Sequence, residues 1–533
     1  MKQKIFKSIG IASAVAAASV GYSTVANGQV DAAPAISANG LGDLALVPYY
    51  TVEDSWTTGV HVINTSAKTQ VVKFRLRRAV DSLDALDFNV ILSPKDVFAG
   101  EVTDDENGDI YFATYGDTTC TAPIVADGKF KMPDLYKTGA ETGYIEIIAM
   151  GQPDVAETAS PIGTAAKHVG GVPRDCEAVA SNFFADGAAG GAVGNVDAVT
   201  TQQMAPTKGD GVTAGAAASL NTFEASGDVL KVSYYIRDTE TGIEFGDNAV
   251  HIEGFMEGPA MSNQERGIFS GDLAGFDFPD LNGGMPTSAV ATAAATGAFP
   301  ILRTALADGN NIINEWSTNP ENGVLLNWVV TLPGQYTMLD MPQYLASLAD
   351  ADEDCLTVDG AAAANAANPA APIPAVACDY RDIPVTANFL ATVYDRDELG
   401  INAPDGSLVV SPSVPGATSS TLLRNEVNVV SFGGNEIFGD ADADVTAPAL
   451  GNFGWLSMNV ASQGTAANSQ GICEWDAAAP AAALTMTCTA GAPVLADQAP
   501  LIGFAAWVRS VNDNPDASYG RIIAHSKAST AAL

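Results

Sequence analysis

Basic residues are scarce in this sequence. The chain of 533 residues has 25 Lys and Arg against 62 Asp and Glu, which gives a formal net charge of −37 at pH 7. Charged residues make up only 16% of the chain, so the negative charge comes from missing bases more than from surplus acid. A field of this sign repels nucleic acid and anionic membrane surfaces, and we expect neither as a partner.

Long apolar runs are also lacking, since no segment has the about 18 uninterrupted apolar residues of a transmembrane helix. The N-terminal stretch "MKQKIFKSIGIASAVAAASVG" joins three lysines to a short apolar run, and the small residues of "STVANGQVDAAPA" follow. This order is typical of a secretory signal peptide. We expect residues 1–28 to be removed and the rest to be secreted or held at the cell surface.

Catalytic motifs are absent as well. The sequence has no G-x-S-x-G elbow, no HExxH helix, no phosphate-binding glycine loop and only four histidines. We therefore predict that the protein is not an enzyme and that it holds no organic cofactor. A secreted hydrolase stays an alternative, because "VYDRDE" places Asp395, Asp397 and Glu398 after a strand and paired carboxylates can hydrolyse glycosides.

Calcium is the one ion that the sequence suggests. Asp440, Asp442 and Asp444 occupy alternate positions in "GDADADVTAP", and oxygen ligands at such a spacing in a loop can surround Ca²⁺. The glycine and glutamate that an EF-hand requires are missing. A solvated acidic turn is the other interpretation of the same residues.

The six cysteines fit an oxidising compartment and form three sequential couples. Six cysteines allow 15 connectivities, so we predict the pairing from proximity alone. No C-x-x-C spacing supports a zinc site. The predicted disulfides are Cys120 with Cys176, Cys355 with Cys378, and Cys473 with Cys488.

Short runs of Val, Ile, Phe and Thr, separated by Asn, Ser, Gly and Pro, predict an all-β fold. We expect immunoglobulin-like β-sandwich domains with long Ala/Gly-rich loops and few short helices. Residues 29–275 would form a first sandwich region with an Ala/Gly-rich insertion near 185–220. Residues 276–533 would form a second region that carries the Ala/Pro-rich cysteine loops.

One strand concentrates the scarce positive charge. In "QVVKFRLRRA", alternation puts Val72, Phe74 and Leu76 on one face and Lys73, Arg75 and Arg77 on the other. With the apolar face in the core, we expect the cations to face outward. They would pair either with Asp81, Asp84, Asp87 or acids on a neighbouring strand, or with another copy of the chain or an anionic surface polymer.

Several segments resemble a group of uncharacterised, secreted, S-layer-like cell-surface proteins of Gram-negative bacteria. They are "GLGDLALVPYYTVEDSWTTGVHVINTS", "FRLRRAVDSLDALDFNVILSPKDVF", "FGDNAVHIEGF", "NWVVTLPGQY" and "YGRIIAHS". The resemblance implies a surface location and assigns no site residue.

Our first functional hypothesis is an exported structural protein that self-associates into a surface layer or extracellular matrix. The alternative is an adhesin or polysaccharide-binding protein that uses exposed tryptophans. Packing in the core is the other role open to the six tryptophans.

Overall fold

The computed structural model describes most of the chain between residues 34 and 528. The longer described ranges are 34–80, 84–105, 107–134, 137–180, 223–256, 311–317, 319–334, 425–434, 452–462, 500–511 and 517–528, with shorter pieces between them. Within 364–411 and 472–489 only the backbone of strands is described. The predicted signal peptide, the insertion near 185–220, Cys355 and Cys378 lie outside the described residues.

The first group of elements precedes residue 254. In chain order it comprises β1 (Ala35–Ile36), β2 (Leu44–Thr51), β3 (Trp56–Asn64), β4 (Gln70–Arg78), β5 (Asp84–Leu92), β6 (Val97–Asp104), β7 (Ile110–Ala113), β8 (Cys120–Ala122), β9 (Lys129–Lys131), β10 (Thr142–Pro153), α1 (Pro161–Ala166), β11 (His168–Val169), β12 (Val172–Pro173), α2 (Cys176–Ala180), β13 (Phe223–Glu224), β14 (Leu230–Asp238), β15 (Glu244–Asn248) and β16 (Val250–Glu253).

The second group follows residue 310. It comprises β17 (Asn311–Ser317), β18 (Val324–Thr331), β19 (Ala364–Asn365), β20 (Asn368–Pro372), β21 (Val385–Asp395), β22 (Gly400–Asn402), β23 (Val409–Ser411), β24 (Ser420–Leu423), β25 (Val427–Phe432), β26 (Ala443–Thr446), β27 (Phe453–Ser462), β28 (Ile472–Trp475), β29 (Met486–Thr489), β30 (Ile502–Arg509), β31 (Tyr519–Ala524) and β32 (Ser526–Ala528).

Four large sheets contain most of these strands. Sheet I has the order β1-β16-β2-β10-β4-β5-β8, with β13 beside β10, and sheet II has the order β15-β14-β3-β6-β7-β9. Sheet III has the order β22-β21-β27-β17-β32, with β24 beside β21, and sheet IV has the order β23-β26-β25-β18-β30-β31. Pairing in the described strands is antiparallel except between β25 and β26. The predicted all-β class with few short helices is confirmed.

Sheets I and II pack face to face through aromatic side chains. Phe88 of β5 stacks on Phe130 of β9 with ring centroids 4.0 Å apart, and Phe74 of β4 lies 4.6 Å from Phe112 of β7. Buried rings of this size supply much of the apolar area that stabilises a β-sandwich. The apolar face that alternation predicts for β4 therefore does lie in the core.

The main core also includes side chains from the second group of strands. Trp56 donates from Nε1 to the carbonyl of Ile437 over 3.0 Å, and its ring lies 5.3 Å from that of Phe438. Val329 and Phe504 belong to the same buried cluster. The expected boundary at residues 275 and 276 falls between β16 and β17. Among the described strands, none that precedes this boundary pairs with one that follows it. The hydrophobic core, in contrast, contains residues from both sides of the boundary. Two separate sandwich regions therefore stay a prediction.

No helix in the described part of the chain is both long and apolar enough to cross a membrane.

One predicted disulfide is present and a second has a compatible register. Cys120 of β8 is bonded to Cys176 at the start of α2, and both lie beside a small core between the two helices and the outer face of sheet I. Cys473 lies directly opposite Cys488 in the β28–β29 ribbon. Opposite Cα atoms in such ribbons are about 4.5–5.5 Å apart, which a disulfide can span. That second pair stays a prediction.

Removing the Cys120–Cys176 bond should destabilise the fold. The bond closes a loop with a sequence separation of 56 residues, so the double change Cys120→Ala and Cys176→Ala is expected to cost about 2–5 kcal/mol. Urea unfolding of the variant and of wild type, each with and without reductant, measures this. Equal midpoints for the variant and the oxidised wild type would contradict the prediction.

A buried histidine joins sheets I and II. His251 of β16 is 3% exposed, and its Nε2 accepts a hydrogen bond of 2.8 Å from the backbone N–H of Val232 in β14. Burial, reinforced by the charge of Lys231, lowers the pKa of His251 to about 4. The neutral ring is therefore the form that connects the two strands.

This contact should make stability depend on pH. Because the folded pKa of about 4 lies below the ordinary value of 6.5, the unfolded chain binds the proton more readily, and stability is lost as pH falls from 6.5 towards 4. Proton uptake by His251 in the unfolded chain lowers the free energy of unfolding by about 2 kcal/mol at pH 5. We expect the stability advantage of wild type over His251→Gln to shrink by this amount between pH 7.5 and 5.

Urea unfolding at the two pH values measures the change. His61→Gln, at an exposed position of β3, controls for the loss of a histidine as such. A wild-type advantage over His251→Gln that stays constant with pH would contradict the role given to His251.

Candidate functional site: an aromatic groove with two arginines

The cation row of β4 is buried, so the expectation that it faces outward is wrong. Lys73, Arg75 and Arg77 do share one face of the strand, but their exposures are only 1%, 0% and 0%. The physical reason is that the outer face of sheet I is covered. Among the described residues, six apolar side chains pack on it beside the cations, namely those of Phe255, Met256, Leu281, Leu302, Leu306 and Ile502 of β30.

Strand register supplies the counter-charges. Arg75 lies directly opposite Glu146 of β10 on one side and opposite Asp87 of β5 on the other. Arg75 Nη1 lies 3.3 Å from Glu146 Oε2, and Arg77 Nε lies 2.6 Å from Glu146 Oε1. Lys73 Nζ lies 2.6 Å from Asp87 Oδ2. We call these five residues the buried charge row.

Two backbone groups from distant segments and one tyrosine of β10 also bind at the row. Arg75 Nη1 donates to the carbonyl of Pro279 over 2.9 Å, and Tyr144 donates from its hydroxyl to Glu146 Oε1 over 3.1 Å. The N–H of Gly334 donates to the same hydroxyl over 3.4 Å. A buried charge is tolerated only with such partners. The row is therefore a structural element of the protein interior.

Asp43 holds Phe255 and Met256, which belong to the residues that cover the outer face of sheet I. Both carboxylate oxygens of Asp43 accept backbone hydrogen bonds, from Phe255 over 2.9 Å and from Met256 over 2.7 Å. Burial raises the pKa of Asp43 to about 7, against the effect of those two donors. Phe255 and Met256 then pack on the outer face of sheet I.

Of the two interpretations of this strand, pairing within the molecule is confirmed for Asp87. The side chain of Asp84 and all of Asp81 lie outside the described residues. Lys73, Arg75 and Arg77 are not accessible as an assembly contact in this fold. Glu146 was missed, although "YIEIIAM" carries a signal. A single acid in an otherwise apolar strand indicates a buried cationic partner.

The calcium candidates are described in part. Asp440 lies outside the described residues. Asp442 accepts from the backbone N–H of Val429 over 2.7 Å, and Asp444 accepts from the hydroxyl of Ser431 over 2.7 Å. These bonds hold β26 beside β25. Among the described residues no group of three or more His, Cys, Asp or Glu could hold a metal, so Ca²⁺ at this turn stays a prediction.

The carboxylates proposed for hydrolysis cannot be compared in space. Asp397 and Glu398 lie outside the described residues, as does the side chain of Asp395.

The tryptophans divide between core and surface. Trp56, Trp316 and Trp328 are buried, as packing predicts. Trp455 is 37% exposed, and Trp507 is half-buried. The side chain of Trp475 is not among those described. Trp316 and Trp507 both line one groove, and Trp507 is the more exposed of the two.

That groove has a volume of about 380 Å³ and lies where β30 and β31 approach β17 and β27. Aromatic side chains, two arginines, one glutamate and several amide and hydroxyl groups meet there. The lining residues are Glu315, Trp316, Ser317, Asn319, Asn322, Val324, Phe453, Gly454, Trp507, Arg509 and Arg521. We call it the aromatic groove.

Neighbouring strand positions bring these groups together. In the β30–β31 pair, Trp507 is opposite Arg521 and Arg509 is opposite Tyr519. The Arg521 guanidinium lies 4.8 Å from the centroid of the Trp507 ring, and its Nη2 lies 2.7 Å from Glu315 Oε1 on β17. This stack holds the indole with one face against a cation.

A tight turn before β18 supplies part of the wall of the aromatic groove. Gly323 precedes β18 with φ +67°, and a Cβ there would lie 2.0 Å from the carbonyl oxygen of Ser510. Glycine is required for that conformation and that approach. The turn sets Asn319 and Asn322 beside Val324 in the groove wall.

A second cavity, of about 280 Å³, lies beside Cys176. Its two carboxylates serve the fold. Asp117 accepts from the N–H groups of Thr119 and Ala99, and Asp127 accepts from that of Lys129. The aromatic groove is the better candidate, since the guanidinium of Arg509 in its lining is not committed to such bonds within the described residues.

No protein-family model, no curated protein and no solved structure matches this chain. Its function is therefore argued from the aromatic groove itself.

Loss of Glu146 should strongly destabilise the protein. Glu146→Gln removes the acid that Arg75 and Arg77 share, and breaking a buried pair on one side costs about 3–5 kcal/mol. Asp109→Asn is the matched control, because Asp109 is likewise shared by two cations, Lys131 and Lys137, but at the surface. Urea unfolding should give a much smaller loss for the control. Equal losses would contradict the structural role of the buried charge row.

Proposed function

We propose that the protein is an exported, non-enzymatic cell-surface protein that binds a polysaccharide in the aromatic groove. The observation that carries the proposal is the Trp507 ring, which is stacked on Arg521 and lines an open groove of about 380 Å³.

The groups in the aromatic groove match the chemistry of sugars. Pyranose rings have apolar C–H faces that pack on aromatic rings, and their hydroxyls need donors and acceptors around the rim. Phe453 is 44% exposed and Trp507 supplies a second ring. Asn319, Asn322 and Glu315 supply the polar groups.

Other features support export and a location at the cell surface. The signal-peptide pattern predicts export, and the Cys120–Cys176 bond is typical of an oxidising compartment. The resemblance to secreted S-layer-like proteins implies a surface location. We keep an immunoglobulin-like arrangement of the paired sheets as part of the proposal.

Self-association into a surface layer is the second candidate function. Its support is the acidic, Lys-poor composition, with a net charge of −37. The contact first expected for it is lost, because Lys73, Arg75 and Arg77 are buried. Electron microscopy and light scattering with and without Ca²⁺ test it directly. Monodisperse monomers under all conditions would exclude it.

Polysaccharide binding should depend on Trp507. We expect Trp507→Ala to weaken binding about tenfold or more, equivalent to about 1.4 kcal/mol, because the ring supplies the apolar contact with the sugar face. Glycan-array screening followed by affinity electrophoresis of the full chain measures this. Tyr115→Ala, which removes a ring that is 69% exposed elsewhere, is the control and should bind like wild type.

Two results would contradict the proposal. One is a wild-type protein that binds no polysaccharide on the array. The other is a Trp507→Ala variant that keeps wild-type affinity while its melting temperature is unchanged.

A further inference from the structure

We propose that the ligand of the aromatic groove is an anionic polysaccharide, whose carboxylate or sulfate groups bind Arg509. This inference rests on the function proposed above and adds the chemical class of the ligand.

The two arginines of the aromatic groove differ in their interactions. Arg521 is paired with Glu315 and stacked on Trp507. Arg509 is exposed at the end of β30, and its guanidinium has no ion pair or hydrogen bond within the part of the chain that the structure describes. It therefore presents its donors to solvent or to a ligand.

Local charge and overall charge have opposite signs here. Among the described residues of the groove lining, Arg509, Arg521 and Glu315 are charged, so two positive charges against one negative charge leave +1. The whole chain carries −37. With so few bases available, a net positive groove is a specific feature of this surface.

Guanidinium is suited to oxyanions of planar or tetrahedral shape. Its N–H groups form a fork that binds a carboxylate or a sulfate through two parallel hydrogen bonds, and the cationic plane also stacks on rings. Trp507 and Arg509 are two positions apart on the same strand and share one face. One sugar ring on the indole would thus place its acidic substituent, or that of the next residue, near Arg509.

A neutral polysaccharide would leave the Arg509 guanidinium without a partner.

Nucleic acid is the second class of polyanion that could bind here. Aromatic rings and arginines also bind single-stranded nucleic acid. Nucleic acid carries one negative charge per nucleotide and would meet strong repulsion from a chain of charge −37. A polysaccharide with acidic groups on some of its sugars meets less repulsion, and we favour it for that reason.

The experiment compares four probes by affinity electrophoresis and titration calorimetry on the full chain. They are hyaluronan, which carries a carboxylate on alternate sugars, κ-carrageenan, which carries a sulfate on alternate sugars, neutral dextran and single-stranded oligo-dT. We expect hyaluronan or κ-carrageenan to bind, and whichever binds more tightly identifies the oxyanion. Binding of oligo-dT at equal or higher affinity, or of neutral dextran alone, would overturn the inference.

Variants separate the inference from the proposed function. Arg509→Gln should weaken binding to the anionic probe about tenfold and reduce its dependence on salt, with the melting temperature unchanged. Arg237→Gln is the matched control, since Arg237 is exposed on β14 and the charge change is the same; it should bind like wild type. If Arg509→Gln binds normally while Trp507→Ala does not, the anionic class is wrong and polysaccharide binding stands. If no polysaccharide binds wild type, the proposed function fails as well.

Discussion

The ion pairs of Arg75 with Glu146 and of Lys73 with Asp87 make it possible to bury sheet I on both faces. A strand that alternates apolar and cationic residues would ordinarily keep its charged face in water. Here Glu146 and Asp87 lie in register on the adjacent strands, so each of the three cations has an acid beside it within the sheet. Pro279 adds a carbonyl from outside it. With its cations paired, this face can be covered by protein. The sheet thereby becomes an interior layer.

An interior sheet I connects the two groups of strands. Thr331 at the end of β18 donates from its hydroxyl to the carbonyl of Pro48 in β2 over 2.5 Å. The backbone N–H of Glu426 donates to the carbonyl of Ala79, just after β4, over 2.7 Å. β18 in turn pairs with β30 along its whole length, and β30 carries Trp507 and Arg509. The wall of the aromatic groove is therefore built on strands that contact sheet I, through Thr331 of β18 and Ile502 of β30. Such a wall is preorganised, which lowers the entropic cost of binding a flexible polymer.

Sequence patterns reveal local features well and distant ones poorly. The alternation in β4 correctly separates Phe74 from Arg75, because the period of a strand fixes which side chains share a face. It does not reveal that a second layer covers the cations, since that layer comes from residues more than 170 positions later. The Cys120–Cys176 bond follows from order along the chain. The aromatic groove could not be predicted, because β17 and β27 are neighbours in sheet III and β30 and β31 are neighbours in sheet IV, and only the packing of these two sheets brings their residues together.

The use of basic residues links the interior to the aromatic groove. Three of the 25 Lys and Arg residues neutralise acids inside the buried charge row, and two more line the groove. At physiological ionic strength charges are screened over about 8 Å, so a ligand seated in the groove responds mainly to Arg509, Arg521 and Glu315. An approaching polymer instead meets the negative field of the remaining surface. Added salt should then weaken the contact with Arg509 and also reduce the repulsion during approach. An anionic ligand would be held by short-range contacts with the ring and the guanidinium, and the overall charge would act mainly on its rate of association.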